Sequence, residues 1–254
     1  MGYKKKVMSL ANRLVPFCPG MKRRRPTYYQ GYWLWPSTSN WQSLFSRYEK
    51  NVGAAIKSNL STGSTFFDIG ANVGWFTLFA SRIVGPLGHV YSFEPSPDAY
   101  ARLSENVRGL KNVHTFKYGI GNKDGELEFA FQDASMGASF IEAVAEITKH
   151  FSPHTPIRKT RVEIRKIDSL LSQSKPPDLV KIDVEGFELE VLKGAANLLS
   201  QRPALIVEIH PRQLKLSDGS ETEIFHLLES FGYSCDVIDH WKDHSIYTII
   251  AKAV

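Results

Sequence analysis

The feature that most constrains this chain is a glycine turn between an apolar strand and an apolar helix, Phe66-Phe67-Asp68-Ile69-Gly70-Ala71-Asn72-Val73-Gly74. A strand that turns into a helix in this way marks the place where an open α/β sheet receives its ligand. Gly70 permits a tight turn and close backbone approach, and Gly74 close helix–strand packing, since neither carries a Cβ. Around this turn the chain alternates strand and helix signals. Apolar or alternating runs predict strands over 64–69, 90–93, 113–118, 161–167, 179–184 and 204–209. Helical patterns fall near 42–60 and over 74–84, 98–110, 188–199 and 221–230. After the turn Asn122-Lys123-Asp124-Gly125, residues 126–131 alternate as a hairpin arm does, and 132–160 reads as a loop with a short helix. Residues 233–238 and 246–251 close the chain as an antiparallel pair. The pattern predicts an α/β fold: a Rossmann-like, doubly wound sheet, mostly parallel, with an antiparallel C-terminal hairpin strand. At 254 residues the chain is long enough for one such domain.

The turn also says which nucleotide it suits. A dinucleotide site wants G-x-G-x-x-G, whose middle glycine lets the backbone approach a pyrophosphate. Here that position is Asn72, and an acid, Asp68, opens the loop. A carboxylate repels a pyrophosphate but attracts the ammonium and sulfonium of S-adenosylmethionine, by about 1–4 kcal/mol for a near contact at surface-like dielectric. Twenty residues past Gly74, Glu94 ends the strand before it, where an acid accepts hydrogen bonds from a ribose diol. The sequence therefore favours S-adenosylmethionine over a nicotinamide dinucleotide, with Asp68, Gly70, Asn72, Gly74 and Glu94 as the candidate cofactor residues. The alternative is a glycine-bearing turn whose strand-end Asp merely caps the helix.

At these residues the chain resembles the FkbM family of S-adenosylmethionine-dependent methyltransferases. The resemblance is carried by Phe67-Asp68-Ile69-Gly70-Ala71-Asn72-Val73-Gly74, by Phe93-Glu94-Pro95, by Val180-Lys181-Ile182-Asp183-Val184-Glu185-Gly186-Phe187-Glu188, and by Val207-Glu208-Ile209-His210. It implies a class I methyltransferase fold, the same five cofactor residues, and methyl transfer to an oxygen, typically a hydroxyl of a sugar or polyketide-type product. Residues before Asn51 lie outside it.

Transfer to a hydroxyl needs an in-line approach to the methyl group and removal of a proton. The groups that do this belong at the carboxyl ends of the later strands. Asp183, Glu185 and Glu188 follow one such strand, and Glu208 and His210 end the next. Alternation puts Lys181 and Asp183 on one face, with Lys181 expected to pair with Glu208. The catalytic candidates are thus Asp183 and His210 flanking the acceptor hydroxyl, one of them as base, with Lys181 and Glu208 tuning charge. On the plainer reading Lys181–Glu208 is a structural ion pair, and Glu185 and Glu188 are acids at the positive end of a helix dipole. Asp183 with Glu208 or His210 also offers hard ligands to a divalent metal, which the spacing leaves open.

Charge divides the chain. Nine of the 31 Lys and Arg residues precede Glu49, the first acid, so 1–48 forms a basic, aromatic-rich arm before a mildly acidic body at 49–254. Val7, Leu10, Ala11 and Leu14 share a helical face between basic clusters, which suits peripheral contact with an anionic membrane surface. No run is long and apolar enough for a membrane span. Cys18 and Cys235 form no CxxC pair, and a cytoplasmic location is expected. The acidic body disfavours nucleic acid as substrate. So does Asp183-Val184-Glu185-Gly186, which stands where amino-methylating enzymes present an Asn/Asp-Pro-Pro-aromatic turn. A nucleic-acid methyltransferase and a non-catalytic membrane-surface adaptor are the rival readings. The acceptor is expected to be a small molecule or glycan, shaped by 132–160.

Overall fold

The computed structural model describes residues 27–29, 32–34, 49–132, 138–139, 157–240 and 246–254. The expected amphipathic segment of the arm, the first part of the helix near 42–60 and the short helix within 132–160 lie outside these residues. Strands β1 (Thr27–Tyr29) and β2 (Tyr32–Leu34) pair antiparallel, and helix α1 (Glu49–Asn59) leads into the sheet.

Strand β3 (Thr65–Ile69), helix α2 (Trp75–Val84), strand β4 (His89–Phe93), helix α3 (Pro97–Asn106) and strand β5 (Val113–Phe116) form the first half of the alternation. A second, smaller sheet follows, built from β6 (Gly119–Ile120), β7 (Gly125–Gln132), β8 (Ala138–Ser139) and β9 (Ile157–Arg165) in the order β6-β9-β7-β8. The chain then returns through β10 (Leu179–Ile182), helices α4 (Glu188–Lys193) and α5 (Ala196–Ser200), β11 (Ala204–Ile209), and helices α6 (Pro211–Leu216) and α7 (Glu221–Ser230). It closes with β12 (Tyr233–His240) and β13 (Tyr247–Ala253).

The main sheet has seven strands in the order β12-β13-β11-β10-β3-β4-β5. The pairs from β11 to β5 are all parallel, and β13 runs antiparallel to both β11 and β12. From β3 the chain steps outward through β4 and β5, then crosses back to β10 and β11. The order therefore reverses between β3 and β10, and an open α/β sheet binds its ligand at that reversal.

A sheet covered on both faces needs strands that are apolar throughout rather than alternating, and every residue of β3 and β10 is buried. Phe66 points to the layer of α1 and α2, with Ile56, Ala80 and Val84; Phe67 points to the layer of α4, α5 and α7, with Leu192, Leu198 and Leu228. Each such side chain contributes about 1.5–3 kcal/mol through burial. One polar row interrupts the α1/α2 face. Register places Ser92, Asp68 and Lys181 side by side on β4, β3 and β10. Two residues further on, at the carboxyl edge, the same columns deliver Glu94, Gly70 and Asp183.

Several expected boundaries shift. The helix expected over 188–199 is two helices, α4 and α5, with Gly194 ending the first, where a Cβ would meet the Gly121 carbonyl oxygen at 2.0 Å. That is a long-range main-chain contact. The strand expected over 161–167 begins at Ile157 to match β7, and Ile167 opens a 3-10 turn instead. Helix α6 lies outside the sequence expectations; Pro211 starts it in the first turn, where a missing N–H costs no helical bond.

Candidate active site

The carboxyl ends of β3 and β4 are shaped by backbone. Gly70, Asn72 and Gly74 all take left-handed conformations, with φ of 81°, 51° and 90°. Asn tolerates this region better than most residues with a side chain, so the loop keeps its shape without a middle glycine. The Gly70 and Ala71 N–H groups both donate to the Phe93 carbonyl at 3.0 Å, tying the turn to the end of β4. A Cβ on Gly70 would lie 1.8 Å from the Asp183 carbonyl oxygen, so the turn rests directly on the main chain leaving β10. At Gly74 the close neighbour is Leu103 of α3, 2.6 Å from a built Cβ. This glycine lets a helix, rather than the expected strand, pack against the turn.

Glu94 closes the loop. Its Oε2 accepts from the Asn72 N–H and its Oε1 from the Ser96 N–H, both at 2.8 Å. Burial pushes its carboxyl up to about 7, although these two bonds pull the other way. Asp68 lies beneath the loop, 1% exposed. The Thr77 hydroxyl donates to its Oδ2 at 2.6 Å, which leaves Ser92 as the donor in the 2.8 Å contact with Thr77. Burial raises the Asp68 carboxyl against the opposing charge of Lys181, and its Oδ1 has no hydrogen-bond partner among the described residues.

The ends of β10 and β11 are shaped by side chains instead. Lys181 is buried, with its Nζ 2.8 Å from Asp183 Oδ2 and 4.9 Å from the centre of the Phe76 ring. Burial alone would lower this ammonium; Asp183, Asp68 and Glu208 outweigh it and hold it above its ordinary range. Where the sequence suggested a Lys181–Glu208 pair, the short contact thus goes to Asp183, and Glu208 acts on the lysine through its charge. Burial pushes Asp183 up, but Lys181 and then His210 bring it below the usual carboxylate range.

His210 caps α6 with its ring 1% exposed. Its Nδ1 lies 2.8 Å from Glu188 Oε1, while Nε2 lies 3.4 Å from Glu185 Oε2 and 3.6 Å from Glu208 Oε1. Burial disfavours the charged ring, yet Glu185, Glu188 and Glu208 together raise it well above an ordinary histidine. Glu185 is pushed up to about 8, chiefly by burial and then by Asp183, Glu208 and Glu188, against the pull of His210. Its own backbone is left-handed at φ 53°. Gly186 follows at φ 99°, pressed so closely on Gln213 that a Cβ would lie 2.3 Å from that residue's Cβ.

All nine candidate residues therefore gather along one edge of the sheet. Asp68, Gly70, Asn72, Gly74 and Glu94 surround the ends of β3 and β4; Lys181, Asp183, Glu208 and His210 surround the ends of β10 and β11. Three polar groups of the site have no counterpart among those nine. Thr77 holds Asp68, Glu185 faces His210, and Glu188 holds His210 from behind while accepting from the Gly186 N–H at 2.9 Å. Glu188 does open a helix, as its position suggests, but it is fully buried. It shares the first helical turn with a second acid, Glu190, so residue type alone does not mark which of the two turns inward. One ligand atom each from Asp183, Glu185 and His210 lie within 4.8 Å of one another, a spacing that suits a metal ion.

A doubly wound sheet with an antiparallel strand set beside β11, a glycine turn after the central strand and an acid ending the next strand is the fold of the class I S-adenosylmethionine-dependent methyltransferases. Residues 68–235 match the methyltransferase FkbM domain, and the chain belongs to that family. It is 30% identical over 175 residues to the hexuronic acid methyltransferase AglP of Haloferax volcanii, a match covering 67% of this chain and 66% of that protein, just under two thirds of its length. Methyltransferase 1 of Beauveria bassiana is 28% identical, with 74% of this chain and 81% of that protein covered. The 2-O-methyltransferase NoeI of Sinorhizobium fredii is 27% identical, with 58% and 63% covered. Among the described residues no helix is long and apolar enough to cross a membrane.

Proposed function

We propose that the protein transfers a methyl group from S-adenosylmethionine to a hydroxyl oxygen of a sugar-containing acceptor. The observation that carries this reading is the contact of the glycine turn with the Asp183 main chain: a donor lying along residues 70–74 has the Asp183–His210 cluster as its immediate neighbour. Relatives named for hexuronic acid and 2-O-methyl transfer support a sugar hydroxyl as the acceptor.

The cofactor residues fit their group by donor set. An ionised carboxylate offers about four lone-pair sites. Glu94 uses two of them on backbone N–H groups, and the remaining two suit a ribose diol. Gly70, Asn72 and Gly74 form the wall beside it. Asp68 lies too deep for direct contact, so its part is to make the turn attractive to a cation. When bound, S-adenosylmethionine supplies the electrophilic methyl group. The chain's own task is to hold the hydroxyl in line and take its proton. Asp183, kept ionised by Lys181, is the proton acceptor, and His210, its ring fixed by Glu188, holds the hydroxyl.

The reading is tested by incubating the protein with the methyl donor and a panel of hexuronic acid glycosides, neutral glycosides and transfer RNA, then locating the methyl group by mass spectrometry. Methylation confined to sugar hydroxyls is expected. Methyl groups found only on RNA bases would overturn it, as would tight uptake of a nicotinamide dinucleotide without uptake of the sulfonium donor.

A further inference from the structure

We propose that Asp183, Glu185 and His210 bind one divalent cation, of the borderline-hard kind represented by Mn²⁺, beside the acceptor position. The proposal rests on the reading above only for what the cation would face.

The first observation is geometric. The three ligand atoms lie within 4.8 Å of one another, with those of His210 and Glu185 3.4 Å apart, whereas on one ion at bond lengths near 2.2 Å neighbouring ligands stand roughly 3.1 Å apart and opposite ones roughly 4.4 Å. Closing that difference takes a few tenths of an ångström, within the reach of a side-chain rotation.

The second concerns the ring. His210 is 1% exposed, yet its Nε2 has no hydrogen bond of normal length; its nearest carboxylate oxygens, on Glu185 and on Glu208, stand 3.4 and 3.6 Å away. Its other nitrogen is committed, 2.8 Å from a Glu188 carboxylate that is itself fully buried. A carboxylate behind Nδ1 assigns the proton to that nitrogen and turns the Nε2 lone pair forward, which is how proteins hold a histidine that ligates metal.

Third, the site keeps free capacity and an entrance. Lys181 occupies only Oδ2 of Asp183, so Oδ1 is available. The Asp183 and Glu185 side chains are 27% and 25% exposed, while His210 is the closed floor. Two carboxylates and one imidazole leave about three open positions on a six-coordinate ion. A hydroxyl bound there would lose its proton more readily, the proton passing to water at the open side of the site, so that in the loaded protein Asp183 serves as ligand. Lone pairs facing each other across this gap repel unless something positive lies between them. The competing candidate is a second proton on His210.

The experiment uses the full chain stripped with EDTA and titrated with Mn²⁺, with free ion read by electron paramagnetic resonance. One Mn²⁺ per chain is expected, and Asp183→Asn and Glu185→Gln should each weaken binding at least tenfold. Glu188→Gln should weaken it about 10–100-fold, the range for removing a carboxylate behind a ligand. Circular dichroism and calorimetry with S-adenosylhomocysteine on the same samples show whether each variant is folded. Absence of Mn²⁺ uptake at millimolar concentration, or uptake unchanged by both acid variants in folded protein, overturns the site and leaves the second proton as what fills the gap. Sugar methylation that persists undiminished in EDTA likewise rejects the cation while sparing the methyl-transfer reading. Mn²⁺ bound as described without any sugar methylation rejects that reading and spares the site.

Discussion

The two ends of the ligand edge are built from different materials. At β3 and β4 the shape lies in the main chain: three left-handed residues, two N–H groups on one carbonyl, and a single carboxylate held by two further N–H groups. At β10 and β11 it lies in side chains, with Lys181 on Asp183 and His210 gathered among Glu185, Glu188 and Glu208. The first region is specified by sterics, the second by charge. Damage to the one should appear as lost folding, and damage to the other as lost chemistry.

The largest effect that would break this contrast is expected at Gly70. Gly70→Ala drives a Cβ into the Asp183 carbonyl, where no flexible side chain can give way, and should cost upwards of about 4 kcal/mol in chemical denaturation or prevent folding altogether. Gly109→Ala is the control. It has a comparable φ but nothing within 4 Å, and should cost only about 1–2 kcal/mol. Equal losses at the two positions would show that backbone angle, and not contact with β10, sets the price.

Next comes Asp183→Asn. Methyl transfer should fall about 10²–10⁴-fold, the usual range for a lost proton acceptor, while S-adenosylhomocysteine binding by calorimetry stays within about threefold. Full turnover in that variant, or in His210→Ala with normal cofactor binding, would remove these residues from the chemistry.

Glu94 sharpens the comparison through pH. Its folded carboxyl titrates near 7 against an ordinary 4.5, so the folded protein holds a proton that the unfolded chain has released. The stability this contributes is complete below 4.5 and is lost as pH rises through about 7, an effect on the order of 3 kcal/mol. Urea unfolding of Glu94→Gln should lack this slope between pH 5 and 8 when compared directly with the parent. The same variant should bind S-adenosylhomocysteine about tenfold more weakly, having lost a charged acceptor. Smallest is Thr77→Val, which strips Asp68 of its donor and should cost about 1–3 kcal/mol of stability with little change in kcat.

Much of the first region was legible because its signals are local. A glycine turn, a strand-end acid and unbroken apolar runs are written within a few residues of one another, and β3, β4, β11 and α7 fall where the pattern puts them. The second region was legible only as a set of residue types. That Lys181 turns to Asp183 depends on where β10 ends, and that Glu188 turns inward depends on His210, twenty-two residues later in the chain. The break at Gly194 likewise answers to Gly121, far off in sequence. No periodicity encodes contacts of that kind.

The meeting of Gly70 with the Asp183 carbonyl has a practical consequence for anyone redesigning the acceptor. It works as a fixed ruler between the two halves of the cleft, cut in atoms that every amino acid shares. Side chains around this contact can be exchanged without resetting the distance between the two halves of the site, whereas a change that moves either end of the ruler alters that distance throughout.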